Sequence, residues 1–324
     1  MTRILKLPFV LFRPVYERTS LHTSVIEDVN DQRLKEAYAH CREITRYYAK
    51  TFYLATRFLP NHKQRAIFAI YGLCRYLDNL VDDAEDLIRE KKISALEIEE
   101  RLEEFKEQLC TVYAGGYVDD PILIAFSDTI NQYDIPIALP FLLIDGVKTD
   151  LTKNRFYNFE EVYDYSYKVA SVVGLMTSEV FGYKMDKALD HAVDLGIAMQ
   201  LTNILRDVGE DLDRDRIYIP EVDLKMFEVS ESDLFRREMT ENFRELIRYQ
   251  IQKARTYYKS AELGIPMLSK DSRLPVYLAR YNYARILDKI EENKFDVLSQ
   301  RAYLSQSEKL SILPRVFWDL RAAS

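Results

Sequence analysis

Two sets of polar residues are spaced so that each would form one stripe along a helix. The first set has spacings of four, three and four residues, and the second has spacings of three, four and four. Residues three and four apart lie on one face of an α-helix. The stripes are Tyr71, Arg75, Asp78 and Asp82 in the first case, and Gln200, Asn203, Asp207 and Asp211 in the second. Each stripe therefore ends in two carboxylates one helical turn apart.

The surroundings of these Asp pairs favour a metal site over a solvated surface. Both stripes continue largely apolar segments, which run from Ala66 to Cys74 and from Ala188 to Leu205. Carboxylates at the end of such a helix lie beside the core, where an unpaired charge is costly. Oxygen ligands without a nearby His or Cys select a hard cation. We therefore predict bound Mg²⁺, with Mn²⁺ as an alternative.

Two arginines accompany the carboxylate pairs. Arg75 belongs to the first stripe, and Arg206 directly precedes Asp207. A guanidinium group binds phosphate oxygens through two parallel hydrogen bonds, so these residues would supply charge for a metal-bound diphosphate. Either arginine could instead pair with a neighbouring carboxylate, and the sequence leaves that alternative open.

The rest of the chain predicts an all-α protein. Only 9 Gly and 10 Pro occur in 324 residues, and no β-strand alternation persists, which favours long helices. Without a break in composition, we expect one catalytic domain at 31–324 after an N-terminal arm at 1–30. We expect helices over 31–59, 63–83, 94–109 and 188–205, helix starts at Pro121, Pro140, Pro275 and Ser307, capping boxes at Asn158 and Ser230, and a helix stop at Gly264.

Charge and composition exclude several classes of protein. The net charge of −7 disfavours non-specific binding to nucleic acid. The chain contains no run of about 18 apolar residues, so we predict no membrane-spanning helix. Cys41, Cys74 and Cys110 lack metal-site spacing and are expected to be reduced core thiols of a cytoplasmic protein. The apolar stretch from Leu5 to Phe12 is a candidate for transient, peripheral contact with a membrane.

Both stripes lie in segments that resemble the squalene and phytoene synthase family, which couples isoprenyl diphosphates head to head. The resemblance rests on YGLCRYLDNLVDD at Tyr71–Asp83 and QLTNILRDVGEDLDRDRIYIP at Gln200–Pro220. It extends, in the family's order, through YAKTFYLATRFLP, LIDGVKTDL, YSYKVASVVGLM and YNYARILDKI, and spans roughly Tyr48 to Leu310. It implies a single-domain isoprenoid-synthase-type helical bundle around a central hydrophobic cavity.

The resemblance also implies a role for each matching residue. Metal ligands are Asp78, Asp82, Asn203, Asp207 and Asp211. Residues that contact diphosphate are Thr51, Phe52, Arg75, Gln200, Arg206, Arg216 and Arg301. Tyrosines near the reacting groups are Tyr71, Tyr165, Tyr218 and Tyr283. The chain has 23 tyrosines, so a simple packing role remains an alternative for each of them.

Two other interpretations deserve comparison. Asp82, Asp83 and Asp86 also spell DDxxD, the motif of head-to-tail prenyltransferases, but the usual following arginine pair and a second DDxxD are missing. A non-catalytic member of the family, serving in assembly, would be expected to have eroded Asp motifs. All four Asp residues of the two stripes are intact, so a head-to-head enzyme is preferred.

The implied reaction is the coupling of two isoprenyl diphosphates through a cyclopropylmethyl diphosphate. The segment YAKTFYLATRFLP is most similar to phytoene synthases, which favours two geranylgeranyl diphosphates and phytoene, in carotenoid biosynthesis. The alternative is a farnesyl diphosphate enzyme that makes squalene, presqualene diphosphate or dehydrosqualene. NADPH would be needed only if the product were squalene. The sequence does not fix the length of the isoprenoid tail or the oligomeric state.

Overall fold

The computed structural model describes residues 24–89 and 92–322, apart from the side chains at 24, 51 and 82–89. The apolar stretch from Leu5 to Phe12, and most of the predicted arm, lie outside these residues. The helices are α1 Ser24–Glu27, α2 Gln32–Tyr48, α3 Lys50–Thr56, α4 Asn61–Arg89, α5 Ala95–Tyr113, α6 Pro121–Gln132, α7 Ala138–Thr152, α8 Phe159–Ser166, α9 Val172–Phe181, α10 Lys187–Asp213, α11 Glu221–Met226, α12 Glu231–Phe235, α13 Glu241–Gly264, α14 Lys270–Glu292, α15 Gln306–Ser311 and α16 Leu313–Ala322. A π-helical turn, Tyr167–Ser171, joins α8 to α9, and a 3₁₀ turn, Ile265–Met267, follows α13.

The all-α prediction is confirmed. Within the described residues, the β pairing consists of two isolated bridges, Arg155 with Ile217 and Tyr183 with Leu268. None of the helices in that part of the chain is both long enough and apolar enough to cross a bilayer.

Local capping explains several helix boundaries. The Ser230 capping box is confirmed, because Ser230 and Asp233 each accept a backbone hydrogen bond from the other. At α8 only half of the predicted box forms. Asn158 accepts from the Glu161 amide at 3.0 Å, whereas the Glu161 carboxylate accepts from the Tyr157 amide at 2.8 Å. Pro121 occupies the first turn of α6, where its missing N–H costs no hydrogen bond.

Contacts within the chain form two compact units, which are described separately. The first consists of the described residues up to Phe141 with Met176–Lys184 and Leu268–Ala279. In it, α2 packs against α4 and α6, and α4 also packs against α5 and α6. Its largest fully buried side chains include Tyr38, Phe68 and Phe126. The central position of α4 explains why its sequence is apolar on almost every side.

The second unit consists of Leu142–Leu175, Met185–Met267 and the described residues from Arg280 onward. Its main packing is between α10 and α13, and α10 also contacts α8 and the π turn. Ile197, Leu201 and Leu205 of α10 are buried against α13 residues that include Ile251 and Tyr258. The second stripe therefore belongs to the central helix of this unit, as its sequence predicts.

Several expected helix boundaries are wrong. The helix predicted over 31–59 breaks at Ala49, whose backbone leaves the helical region with φ −125° and ψ 57°. Pro275 does not start a helix, because α14 begins five residues earlier at Lys270 and contains this proline. The helix expected from Ser307 is two short helices, α15 and α16.

The expectation of three core thiols is also wrong in one case. Cys41 and Cys74 are buried, whereas Cys110 is exposed. Cys110 lies in the last turn of α5, about 100° around the helix from the buried Leu109. None of the three forms a disulfide within the described part of the chain.

Candidate active site

The first stripe lies on α4 at a close contact with α2. A Cβ atom on Gly72 would lie 3.0 Å from the Cys41 sulfur, so the missing side chain lets the two helices approach. On the neighbouring face, Tyr71, Arg75 and Asp78 are half-buried. The Tyr71 ring lies 5.8 Å from the ring of Phe52, centroid to centroid. Two predicted site residues of this unit, Thr51 and Asp82, have side chains outside the described part of the chain.

Arg75 is held by an aromatic ring and carries a buried hydrogen-bond donor. Its guanidinium carbon lies 4.2 Å from the centroid of the Tyr48 ring, a cation–π contact. Its Nε atom is buried and, within the described residues, has no hydrogen-bond partner. A buried donor of this kind is costly, and a phosphate oxygen would satisfy it. Arg75 is therefore suited to contact an anion.

Asp78 lies one turn after Cys74 on α4 and raises the pKa of the Cys74 thiol. Burial and then the Asp78 carboxylate raise the pKa of the Cys74 thiol well above its usual range. Asp78 itself is half-buried. A carboxylate in this position, beside the apolar end of α4, has the chemistry of a hard-metal ligand.

The second stripe lies on α10, whose packing fixes its orientation. Gly196 lets α10 approach the π turn, since a Cβ at this position would lie 2.4 Å from the Ser171 Cα. Ser171 Oγ donates to the Val193 carbonyl at 2.7 Å across the same contact. On the other side, the hydroxyls of Thr202 and Tyr258 lie 3.0 Å apart. These contacts fix the orientation of α10 about its axis. The polar stripe lies on the remaining face of the helix.

Asp207 is bound by two arginines. Arg206 donates from Nε to Oδ1 at 2.8 Å and from Nη2 to Oδ2 at 2.5 Å. The Arg301 Nε lies 2.9 Å from Asp207 Oδ1, and its Nη1 lies 3.1 Å from Glu210 Oε1. Arg206 thus has the neighbouring carboxylate as a partner, which is the alternative that the sequence left open.

The segment that carries Arg301 is docked on α10 at Gly209. A Cβ on Gly209 would lie 2.5 Å from the Leu298 carbonyl oxygen, and its amide donates to the Val297 carbonyl at 3.0 Å. Arg237 adds a hydrogen bond to the Leu298 carbonyl at 2.9 Å. This anchoring explains how an exposed arginine, almost a hundred residues later in the chain, reaches Asp207.

Asp211 is the most perturbed carboxylate of the stripe. Burial and the neighbouring Asp207 raise its pKa to about 7, although Arg216 and Arg214 oppose the shift. Arg216 is itself buried, and its amide donates to the Asp211 carbonyl at 2.8 Å. A cation next to Asp207 and Asp211 would remove their mutual repulsion.

Asn203 completes a set of oxygen donors on α10. Its Nδ2 donates to Gln200 Oε1 at 3.3 Å, while its Oδ1 is buried without a hydrogen-bond partner in residues 24–89 and 92–322. Asn203, Asp207 and Asp211 follow one another at intervals of four residues. Within the same described residues, no three His, Cys, Asp or Glu side chains form a metal-binding group by themselves. The unsatisfied amide oxygen and the two carboxylates nevertheless fit an oxygen-ligated cation that keeps some of its waters.

Two of the predicted tyrosines form one cluster. Tyr165 and Tyr218 are buried, with ring centroids 5.3 Å apart, and the Phe156 ring lies 5.5 and 5.3 Å from them. Their hydroxyls donate to the two oxygens of Asp150, at 3.0 Å from Tyr165 and 2.8 Å from Tyr218. Burial and then Asp150 raise the pKa of both phenols, so both stay protonated.

Tyr283 is separate from this cluster. It is half-buried on α14, and burial raises its pKa while the nearby Arg206 lowers it. The charge of the arginine that binds Asp207 therefore reaches Tyr283, and a place for this tyrosine near the reacting groups stays a prediction.

Asp150 is not among the site residues predicted from the sequence, although its segment, LIDGVKTDL, contributes to the resemblance. The signal was present, because Leu143 and Val147 of α7 are buried and Asp150 continues their stripe. This is the same pattern, a carboxylate at the polar end of an apolar stripe, that identified the two Asp pairs.

Comparison with known proteins identifies the family. The family model for squalene/phytoene synthase matches residues 45–308. The chain belongs to the squalene/phytoene synthase family. It is 42% identical to the phytoene synthase of Arthrospira platensis over 293 residues. This aligned region covers 86% of this chain and 92% of that protein. It is also 42% identical over 294 residues to the 15-cis-phytoene synthase of Synechococcus elongatus, with coverage of 87% and 92%.

Solved structures confirm the isoprenoid-synthase-type fold of this family member. A dehydrosqualene synthase in complex with a ligand superposes with a TM-score of 0.81 at 27% identity, over 90% of this chain and 99% of that one. The squalene synthase HpnC of Alicyclobacillus acidocaldarius has the same fold, with a TM-score of 0.75 at 23% identity over 84% and 99%. As a member of the family, the protein is a prenyltransferase.

Proposed function

We propose that this prenyltransferase couples two molecules of geranylgeranyl diphosphate head to head and forms phytoene, with Mg²⁺ as cofactor. The observation that carries the proposal is the 42% identity to phytoene synthases over nearly the whole of both chains. Proteins that are this similar over such a length share their fold and its packing. We therefore expect this chain to use the same class of substrate as the two phytoene synthases. The identity to the dehydrosqualene synthase structure is lower, at 27%.

The metal would be held by Asp78 and Asp82 on α4, and by Asn203, Asp207 and Asp211 on α10. When bound, Mg²⁺ neutralises the diphosphate and so makes it a better leaving group. The buried Asn203 Oδ1, which has no hydrogen-bond partner among the described residues, and the raised pKa of Asp211 support the α10 ligands.

The arginines would bind the diphosphate groups. Arg75 offers a buried Nε that no atom in the described part of the chain hydrogen-bonds, and Arg206 and Arg301 already converge on Asp207. A guanidinium held close to the departing oxygen stabilises the charge that develops there. Thr51, Phe52, Gln200 and Arg216 complete the proposed diphosphate-binding set.

Tyr71, Tyr165, Tyr218 and Tyr283 would surround the reacting carbon atoms. Aromatic faces and phenolic oxygens stabilise carbocations, and buried rings exclude the water that would quench them. The first coupling releases one diphosphate and one proton and gives a cyclopropylmethyl diphosphate, which then loses its own diphosphate and rearranges. Loss of a proton gives the triene of phytoene without a reductant, whereas formation of squalene would consume NADPH.

Product analysis with purified protein tests the proposal. The protein would be incubated with Mg²⁺ and either geranylgeranyl or farnesyl diphosphate, with and without NADPH, and the hydrocarbons identified by mass spectrometry. We expect phytoene from the C20 substrate, independent of NADPH. Squalene or dehydrosqualene from the C15 substrate, with no phytoene, would identify the farnesyl-using alternative. Turnover only after addition of isopentenyl diphosphate would instead indicate a head-to-tail enzyme.

We also infer a cytoplasmic enzyme in transient contact with a membrane, because a C40 hydrocarbon must leave into an apolar phase. Flotation with liposomes during turnover tests this location. Protein that never co-floats, although phytoene accumulates in the vesicles, would contradict it.

A further inference from the structure

Asp150 joins two tyrosine hydroxyls to the segment that carries Arg216. We propose that Asp150 is a positioning residue for the coupling reaction, which aims the oxygen atoms of Tyr165 and Tyr218 at the cationic carbon skeleton. This role rests on the proposed function, because it assigns the two tyrosines to the carbocation. Asp150 is expected to act through the tyrosines and not to touch the substrate.

The hydrogen-bond geometry fixes the direction of both phenols. Asp150 Oδ2 accepts from Tyr165 at 3.0 Å, and Oδ1 accepts from Tyr218 at 2.8 Å. A phenol has one proton to donate, so each hydroxyl must direct its lone pairs away from the carboxylate. Neither tyrosine can then donate its proton to another group. Both phenolic oxygens are thereby restricted to accepting hydrogen bonds or stabilising positive charge.

Packing holds this arrangement in place. Tyr165, Tyr218 and Phe156 form a triangle of rings with centroids 5.3 to 5.5 Å apart. Phe156 has only 2% of its surface exposed. Fixed dipoles in such surroundings stabilise a developing charge more strongly than mobile water does, because they need no reorganisation during the reaction. The negative charge of Asp150 adds to the same potential.

The main chain of Asp150 links the tyrosines to the diphosphate side. Arg216 donates from Nη2 to the Asp150 carbonyl oxygen at 2.9 Å. The Ile217 amide donates to the Asn154 carbonyl at 2.9 Å, which pairs the chain after α7 with the segment between Arg216 and Tyr218. One residue therefore sets the spacing between a proposed diphosphate-binding guanidinium and the two tyrosines.

Asp150→Asn tests the role, with Asp145→Asn as the matched control. Asp145 lies on the same helix and is exposed. We expect the Asp150 variant to lose about 100-fold in kcat, since removal of one oriented electrostatic group typically costs that much, with little change in KM. More of the cyclopropylmethyl diphosphate should also be released before rearrangement. The Asp145 variant should behave as the wild type. Equal kcat and equal release of the intermediate in Asp150→Asn would overturn the proposal.

A double-mutant cycle separates positioning from general damage to the fold. In a Tyr165→Phe/Tyr218→Phe background there are no hydroxyls to aim, so the further change Asp150→Asn should lower kcat by less than about twofold. If the full loss persists in that background, Asp150 does not act through the tyrosines. Asp150→Glu keeps the charge and should give turnover between the wild type and Asp150→Asn. Turnover no better than that of Asp150→Asn would contradict the role of the carboxylate.

A measurement without substrate distinguishes this proposal from the proposed function. Protein labelled with ¹³Cζ-tyrosine reports the hydrogen bonding of each phenol by NMR, and the Phe variants assign the two signals. Asp150→Asn should shift the signals of Tyr165 and Tyr218, whereas Asp145→Asn should not. Unchanged signals overturn the positioning role even in an active enzyme. Failure of the wild type to couple geranylgeranyl diphosphate would overturn the function while leaving the shifts to be measured.

Discussion

Arg301 contacts Asp207 with 2.9 Å between Nε and Oδ1, although Arg301 is half exposed and Asp207 is largely buried. Arg206 binds the same carboxylate from the preceding position on α10. The Asp207 oxygens, which a cation would need, are therefore already paired with guanidinium groups. A diphosphate offers these arginines a more highly charged partner, so cation and anion should bind together.

The first prediction concerns Arg301→Met. Without the guanidinium, Asp207 loses one competitor, so Mn²⁺ alone should bind more tightly in a titration followed by electron paramagnetic resonance. Inorganic pyrophosphate with Mg²⁺ should bind about tenfold more weakly by calorimetry, because one charge-assisted contact is lost. Arg248→Gln is the control, because Arg248 pairs with the exposed Glu245 on α13 and is none of the proposed diphosphate-binding residues. Parallel changes in both affinities would contradict this competition.

The second prediction concerns Asp78→Asn and Asp207→Asn. Each keeps the shape of the side chain but removes a proposed metal ligand, so kcat should fall at least about 100-fold. The circular dichroism spectrum should stay that of the wild type. Asp186→Asn, at an exposed position before α10, should keep full activity. A stripe variant with near-normal turnover would remove that residue from the metal site.

The third prediction concerns the stability of metal-free protein. Asp211 has a folded pKa of about 7 against an ordinary value of 3.8, so the folded state favours its protonated form. The destabilising effect of the carboxylate is absent below about pH 4, grows as the pH rises, and is complete above pH 7. In EDTA at pH 8, Asp211→Asn should therefore raise the Tm, and the difference should shrink at pH 5. A lower Tm for the variant at pH 8 would contradict the shift.

The fourth prediction concerns thiol chemistry. Burial raises the pKa of Cys41 to about 12 and shifts that of Cys74 in the same direction, whereas Cys110 is exposed. Iodoacetamide reacts with thiolates, so native protein at pH 8 should be alkylated once, at Cys110. Peptide mass spectrometry identifies the site, and Cys110→Ser should take up no label until it is unfolded. Labelling of Cys41 or Cys74 in folded protein would show that the helices open there.

The sequence predicted those features that depend on periodicity. Spacings of three and four residues placed the half-buried Arg75 and Asp78 on one face of α4, and placed Asn203 and Asp207 on one face of α10. Capping at Ser230 was equally local, because it needs only side chains and amides within four residues. Such features are decided within one helix and can be read without knowledge of the partners.

Features decided by packing could not be predicted in this way. The π turn packs on α10, and its contact through Ser171 with Gly196 is apparent only once α10 is in place. Whether Cys110 faces inward depends on which side of α5 meets its neighbours. Asp150 combines both kinds of feature. Its place on the stripe with Leu143 and Val147 follows from helical spacing, whereas its hydrogen bonds to Tyr165 and Tyr218, in other segments, follow from packing.

The π turn has a consequence for the phase of the chain around it. A π turn contains one residue more than the α-helix that it replaces, so α8 and α9 differ by one residue in their helical register. Because the wider turn takes up this extra residue, loss of one residue from Tyr167–Ser171 would let the segment close as ordinary α-helix and would keep Tyr165 near its present orientation relative to α9. An inserted residue has no such turn to take it up and would rotate Tyr165 by about 100° relative to α9, so that its phenol would leave Asp150. Single deletions in this five-residue turn should accordingly be tolerated better than single insertions, although the turn itself contains none of the proposed catalytic side chains.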